Sequence, residues 1–328
     1  MKIDMYAHIM TQKVIDTYVK RVGDMEIVGM RPDEGPNKDW FDVEMRIDIM
    51  NKFPGLVEVL IPTGQPLENH AKPADAVYIA QVYNDVLAEL VSKYPDKFVA
   101  AAACIPLSDI PAALKEIDRT INEMGFKGIF IQTPVKGRAI DSPDFLPVYE
   151  RMSNYNLPIW IHPMRHHTFA DYSDEDESKY GLYHVFGWPY ETAIAMSRIV
   201  CSGLLHKYPN LKFITHHAGS MVPFLSGRIP LLNCSFGQGR VGPETLYKQF
   251  RMFYNDTAIY GNTPALMCAH AFFGTEHLIF GTDVPYGPAV GEGFIRATID
   301  AINAMSIPEA DKQKIFAGNA MKMLDLKL

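Results

Sequence analysis

The chain has 328 residues, room for one large domain or two ordinary ones, and its 38 Asp+Glu against 31 Lys+Arg leave a net charge of −7. That balance offers no basic surface to a phosphate backbone, so nucleic acid is excluded as a partner. With 48% hydrophobic and 21% charged residues, and no apolar run near the roughly 18 residues that span a bilayer, broad disorder and a membrane-embedded chain are excluded as well.

The N-terminus MKIDMYAHIM lacks a charged-then-apolar signal layout, and the expected setting is the cytoplasm. Cys104, Cys201, Cys234 and Cys268 are dispersed with no C-x-x-C, so reduced, buried thiols are expected rather than a thiolate zinc site or a disulfide framework. No internal repeat and no long linker divides the chain, which favours a single domain over 1–328.

In chain order, eight short β-branched or apolar runs are separated by helical stretches. The runs are Lys2 to Met5, Leu56 to Ile61, Phe98 to Ile105, Gly128 to Gln132, Pro158 to His162, Lys212 to His216, Met252 to Asn255, and His277 to Gly281. Between them, Ala74 to Lys93, Asp109 to Met124, Phe145 to Tyr155 and Glu191 to Lys207 carry apolar residues at three- and four-residue spacing, as amphipathic helices do. This alternation predicts an α/β fold, a distorted (β/α)8 barrel, better than an open doubly wound sheet. Residues 21–40, with Gly29, Pro32, Gly35 and Pro36, read as an insertion after the first strand, and 163–189 as a long aromatic-rich loop; both should border the mouth.

Polar residues follow nearly every run at its C-terminal side: Tyr6 and His8, Thr63, Gln132, His162, His216 and His217, Asp256, Asp283. In a barrel those positions open into one mouth, where imidazoles and carboxylates from distant strands can meet on a borderline divalent metal. No G-x-G-x-x-G follows the first strand and no Walker motif is present, which removes the usual nucleotide-binding readings.

A series of motifs runs in order from MKIDMYAHI through Tyr94-Pro95-Asp96-Lys97-Phe98, Ile161-His162-Pro163, Gly187-Trp188-Pro189 and His217-Ala218-Gly219 to Gly281-Thr282-Asp283-Val284-Pro285 and Ala317-Gly318-Asn319. On these motifs the chain bears a resemblance to the amidohydrolase superfamily, in the branch typified by aminocarboxymuconate semialdehyde decarboxylase and the γ-resorcylate-type nonoxidative decarboxylases. It implies a metal-dependent barrel of the amidohydrolase type, with His8, His162 and Asp283 as ligands of one divalent ion, zinc or alternatively manganese. It implies that His217 is the catalytic histidine beside that ion, that Asp283 also moves protons, and that Arg46 binds a substrate carboxylate. His184, Phe186 and Trp188 fall where a planar substrate would be held.

One departure stands out. The first-strand signature of the resembled family is His-x-His or Glu-x-His, whereas this chain reads Tyr6-Ala7-His8. A phenol with a pKa near 10 ligates poorly at neutral pH and donates hydrogen bonds well, so Tyr6 is expected beside His8 as a donor to a substrate oxygen, with a phenolate ligand or an inert space filler as the alternatives. The activity implied is decarboxylation of a hydroxylated aromatic or related unsaturated carboxylic acid, a small-molecule partner. The alternative is metal-dependent hydrolysis of a lactone, amide or cyclic ketone or diketone on the same residues. A homodimer or homotetramer is expected from the relatives and from the prevalence of symmetric assemblies.

Overall fold

The computed structural model describes residues 1–23, 38–64, 66–236 and 239–328. Parallel strands run in chain order around the fold: β1 (Lys2–His8), β2 (Leu56–Ile61), β3 (Phe98–Ala101), β4 (Ala103–Cys104), β5 (Ile129–Thr133), β6 (Pro158–Pro163), β7 (Lys212–Thr215) and β8 (Tyr254–Asn255). The expected run from Phe98 to Ile105 is thus two short strands with a break at Ala102. Across that break Ala102 N donates to Leu60 O on one side and Ala103 N to Gly128 O on the other, so the wall stays continuous.

The last expected run, His277 to Gly281, is not a regular strand, yet it closes the barrel. Ile279 N donates to Asn255 O, Met5 N to Phe280 O, Asp283 N to Tyr6 O and His8 N to Val284 O, each at 2.8–3.1 Å. The ring of strands is therefore sealed between β8 and β1, as expected of a distorted (β/α)8 barrel.

Side chains crossing the lumen confirm a filled interior. Trp160 of β6 donates its indole N–H to Met5 O of β1 at 2.7 Å, and Tyr6 of β1 donates its hydroxyl to Ile161 O of β6 at 2.8 Å. Gly281 leaves the room this needs, because a Cβ there would stand 2.8 Å from Asp256 Cβ and 2.9 Å from Tyr6 Cβ.

Outside the strands, helix α1 (Gln12–Val22) follows β1, and most of the expected 21–40 insertion lies outside the described residues. Its far edge is Trp40, in a short turn of helix over Lys38–Phe41. The helices expected from periodicity form: Pro73–Lys93, Ile110–Asn122 and Leu146–Tyr155. Ile110–Asn122 shows why. Asp109 caps it by accepting from Ala112 N, and Ala113, Glu116, Ile117 and Thr120 recur on its buried side at helical spacing. The expected Glu191 to Lys207 helix is divided, into Gly187–Cys201 and Leu204–Lys207, because Gly203 takes a left-handed φ of 76°.

The cysteine expectation needs correction: Cys201 and Cys234 are joined as a disulfide, and only Cys104 and Cys268 are free thiols. The two partners are 33 residues apart, and nothing in their spacing announces that the fold brings the end of the Gly187–Cys201 helix against the segment at Cys234.

Candidate metal and catalytic site

Four strand ends deliver one cluster. His8 ends β1, His162 lies near the end of β6, His216 and His217 follow β7, and Asp283 ends the closing segment. His8 Nδ1 is 2.8 Å from Pro62 O, which fixes the tautomer that donates there and turns the Nε2 lone pair into the cluster. His8 Nε2 lies 3.4 Å from Asp283 Oδ1, and His216 Nε2 lies 3.4 Å from the same oxygen. One ring nitrogen each from His8, His162 and His216 come within 4.8 Å of one another, as do ligand atoms of His216, His217 and Asp283.

These atoms lack partners. His8 Nε2, His162 Nδ1, His216 Nε2, His217 Nδ1 and Asp283 Oδ1 are all buried without a hydrogen bond. Leaving one buried polar atom unsatisfied costs about 1–3 kcal/mol, so five in one pocket mark a place built for a ligand. Imidazole nitrogens with one carboxylate oxygen are the donor set of zinc, and with added oxygen ligands of manganese; the residues present fit a divalent ion.

The backbone is bent to aim them. Asp283, His217 and Ala218 adopt left-handed φ values of 67°, 59° and 55°. Such conformations cost roughly 1–3 kcal/mol each in residues with a Cβ and persist where the surroundings enforce them.

Burial sets the charges. It presses His8 down to about 4, against the pull of Asp283, and pushes His162 and His217 well below the usual imidazole range, with the charge on His216 adding to the effect. His216 is the exception: burial works against its charge, but Asp256 and then Asp283 overcome it and hold it up to about 9. Asp283 feels burial too, yet His216 outweighs it and keeps the carboxyl well below the ordinary carboxylate range. Neutral imidazoles thus surround His216, the one imidazole whose charge is favoured, with Asp256 as its very close Nδ1 partner and Asp283 Oδ1 3.4 Å from its Nε2.

Two expected roles meet a different geometry. The Tyr6 phenol is fully buried, and its hydroxyl is donated to Ile161 O, while its ring lies flat on His216 with centroids 4.0 Å apart and planes 8° apart. Tyr6 does stand beside His8 as period-two alternation requires, with centroids at 5.5 Å, but the expected substrate donor is committed to backbone. Arg46 is likewise turned inward. Its Nε donates to both Glu58 oxygens at 2.9 and 3.0 Å and its Nη2 to His8 O at 3.2 Å. A buried guanidinium needs a buried counter-charge, and Glu58 on β2 supplies it; the guanidinium holds β1 and β2 together behind the cluster.

The expected wall is partly there. Trp188 sets its ring edge-on to His162 at 5.2 Å and donates its N–H to Arg165 O, and His184 packs on Trp188 at 4.3 Å. The long 163–189 loop thereby borders the mouth. Phe186 instead points to solvent, 63% exposed. Tyr260 and Tyr286 were not foreseen. Tyr260 donates to Asp283 Oδ2 at 3.0 Å and lies 3.5 Å from His217 Nε2, and Tyr286 packs between His8 and Trp40 with its hydroxyl 2.5 Å from Thr63 Oγ1. Both sit in loops just past strand ends, where no periodicity marks them.

With this geometry in hand, comparison with known proteins gives the class. Residues 3–326 match the family described as amidohydrolase, and the chain belongs to that family. Among its relatives is gamma-resorcylate decarboxylase of Rhizobium sp. (strain MTP-10005), 32% identical over 76% of this chain and 77% of the relative. Another is 2-amino-3-carboxymuconate-6-semialdehyde decarboxylase of Dictyostelium discoideum, 27% identical over 99% of this chain and 92% of the relative. A dihydroxybenzoic acid decarboxylase from Polaromonas sp. JS666, solved with bound manganese and the inhibitor 2-nitroresorcinol, superposes with a TM-score of 0.80 at 25% identity, covering 99% of this chain and 97% of that one.

Proposed function

We propose that this chain is a metal-dependent nonoxidative decarboxylase of a hydroxylated aromatic carboxylic acid. The observation that carries the reading is the set of partnerless buried atoms on His8, His162, His216 and Asp283, seated at strand ends in a chain related along most of its length to such decarboxylases. His8, His162 and Asp283 would hold the ion. When bound, a divalent metal supplies Lewis acidity toward the substrate carboxylate and an adjacent oxygen. Zinc suits the imidazoles; the manganese in the related Polaromonas structure supports the oxygen-rich alternative.

The chain's own groups move the proton. Asp283, ionised at rest, accepts the proton of the substrate phenol and delivers it to the ring carbon bearing the carboxylate. The bond from that carbon to the carboxylate then breaks, its electron pair restores the aromatic ring, carbon dioxide leaves, and a phenolate remains to be protonated by solvent. Tyr260 orients Asp283 through Oδ2. His217, neutral because it is buried, offers a hydrogen bond to a substrate oxygen, and Trp188 with His184 gives an aromatic face to the ring. Arg46 acts on the site through the carbonyl of His8.

The buried cluster that extends from Ala7 to Phe316 supports one domain over 1–328. Exposed Phe224, Leu231, Tyr180 and Phe186 support a homo-oligomer, checked by light scattering, where a monomer mass would remove it. Among the described residues no helix is long and apolar enough to cross a membrane. The decisive assay incubates metal-loaded protein with a panel of dihydroxybenzoates and of lactones. Carbon dioxide release from an aromatic acid is expected, and a new acid group from a lactone would favour hydrolysis instead.

A further inference from the structure

The proposed ligand set has three protein donors, and the residue two before His8 cannot add a fourth. Tyr6 is neutral, its hydroxyl is donated to Ile161 O, and its ring is flat against His216. His216 does offer a donor atom, its Nε2, whose proton is released as the ion binds. Its Nε2 is buried and partnerless, 3.4 Å from the same Asp283 oxygen that faces His8 Nε2, and the His216 ring has a nitrogen within 4.8 Å of ring nitrogens on His8 and His162. Its other nitrogen is taken by Asp256, whose second oxygen accepts from Ala218 N at 3.3 Å and Ala258 N at 3.0 Å.

Building on the metal-dependent reading above, we infer that His216, oriented by Asp256, is the fourth protein ligand of the ion, supplied from the end of β7 where β1 carries Tyr6 instead of a ligand. A carboxylate on the far nitrogen of a ligating imidazole fixes the ring's direction and raises its basicity, and such partners are worth about 10–100-fold in metal affinity. Asp256 is therefore a positioning residue. Tyr6 is one as well: its ring is a plate that sets the plane of His216, and Gly281 is the gap that lets both Tyr6 and Asp256 reach the lumen. In this arrangement the ligand has moved around the barrel, and the site keeps four protein donors.

The test uses the full chain, stripped with a chelator and titrated with cobalt(II), with affinity read by competition against a chromophoric chelator and coordination by visible absorption. The wild type should bind one ion. His216→Gln should weaken affinity more than Asp256→Asn, itself expected to lose about 10–100-fold, and should change the cobalt absorption bands. Tyr6→His combined with His216→Ala should regain part of the affinity by returning the ligand to β1. If His216→Gln, folded by circular dichroism, binds cobalt with wild-type affinity and spectrum, the inference is overturned while the decarboxylase reading stands. Should His216→Gln not fold, wild-type affinity and an unaltered cobalt spectrum in Asp256→Asn overturn it equally. A wild type that binds no divalent ion overturns both the inference and the metal-dependent reading.

Discussion

On the floor of the mouth, His8, His162, His216 and Asp283 are each 5% exposed or less, stand at the ends of hydrogen-bonded strands, and are fixed from behind by Pro62, Asp256 and Arg46. On the wall, between Met164 and Gly187, the chain forms one four-residue helix, Leu182–Val185, and leaves Tyr172, Tyr180 and Phe186 in solvent. The floor is preorganised, its positions held by neighbours that cannot relax without unpairing buried groups. The wall is held largely by bonds within itself, such as Ser178 N to His167 O and Lys179 N to Asp171, and meets the floor where Trp188 packs on His162. Chemistry shared with the relatives is therefore expected to reside in the floor, and the choice among aromatic acids in the wall.

The sharpest way to break that contrast is at Asp283. Asp283→Asn removes the proton carrier and is expected to lower kcat by about 10²–10⁴-fold in steady-state assays, with metal loading measured alongside. Next comes Arg46→Ala, which leaves Glu58 buried and unpaired and should cost about 3–5 kcal/mol of stability in urea denaturation. If Arg46→Ala instead raised KM strongly and left stability untouched, the guanidinium would belong to the substrate and not to the floor. Trp188→Ala removes an aromatic contact worth about 0.5–1.5 kcal/mol and should raise KM by roughly 2–10-fold. Phe186→Ala, on an exposed ring, should leave KM unchanged.

The last expected effect is on pH. Asp4, inside the barrel, is pushed up to about 7 from 3.8 by burial and by Glu58, against hydrogen bonds from Thr282 and Tyr6. The folded chain then holds a proton there that the unfolded chain has released, so this group's contribution to stability falls as pH rises from 3.8 to about 7. Asp4→Asn should abolish that fall, seen as a difference between the two proteins' thermal unfolding profiles across the window.

The floor was more legible from sequence than the wall, for physical reasons. Strand-end histidines and Asp283 follow β-branched runs, so a periodic pattern locates them, and the G-T-D-V-P and H-P motifs have fixed backbone demands. His216 and Asp256 carried the same strand-end signal, but nothing in a linear pattern says that Asp256 would reach the His216 ring. Tyr6 and Arg46 show the limit of a motif: residue type and position do not give the groups they bond, Ile161 O on β6 and Glu58 on β2. The apolar run from His277 to Gly281 predicts a strand, and the segment makes the barrel bonds without regular strand geometry. Tyr260 and Tyr286 sit in loops and had no signal at all.

The central claim is that the floor adds a proton to a ring carbon as carbon dioxide leaves. Turnover of a dihydroxybenzoate in D2O, followed by mass spectrometry and NMR, reads this directly. One deuterium on the carbon that carried the carboxylate, with one carbon dioxide per turnover, is the result expected. Consumption of substrate with no ring deuterium and no carbon dioxide would contradict it.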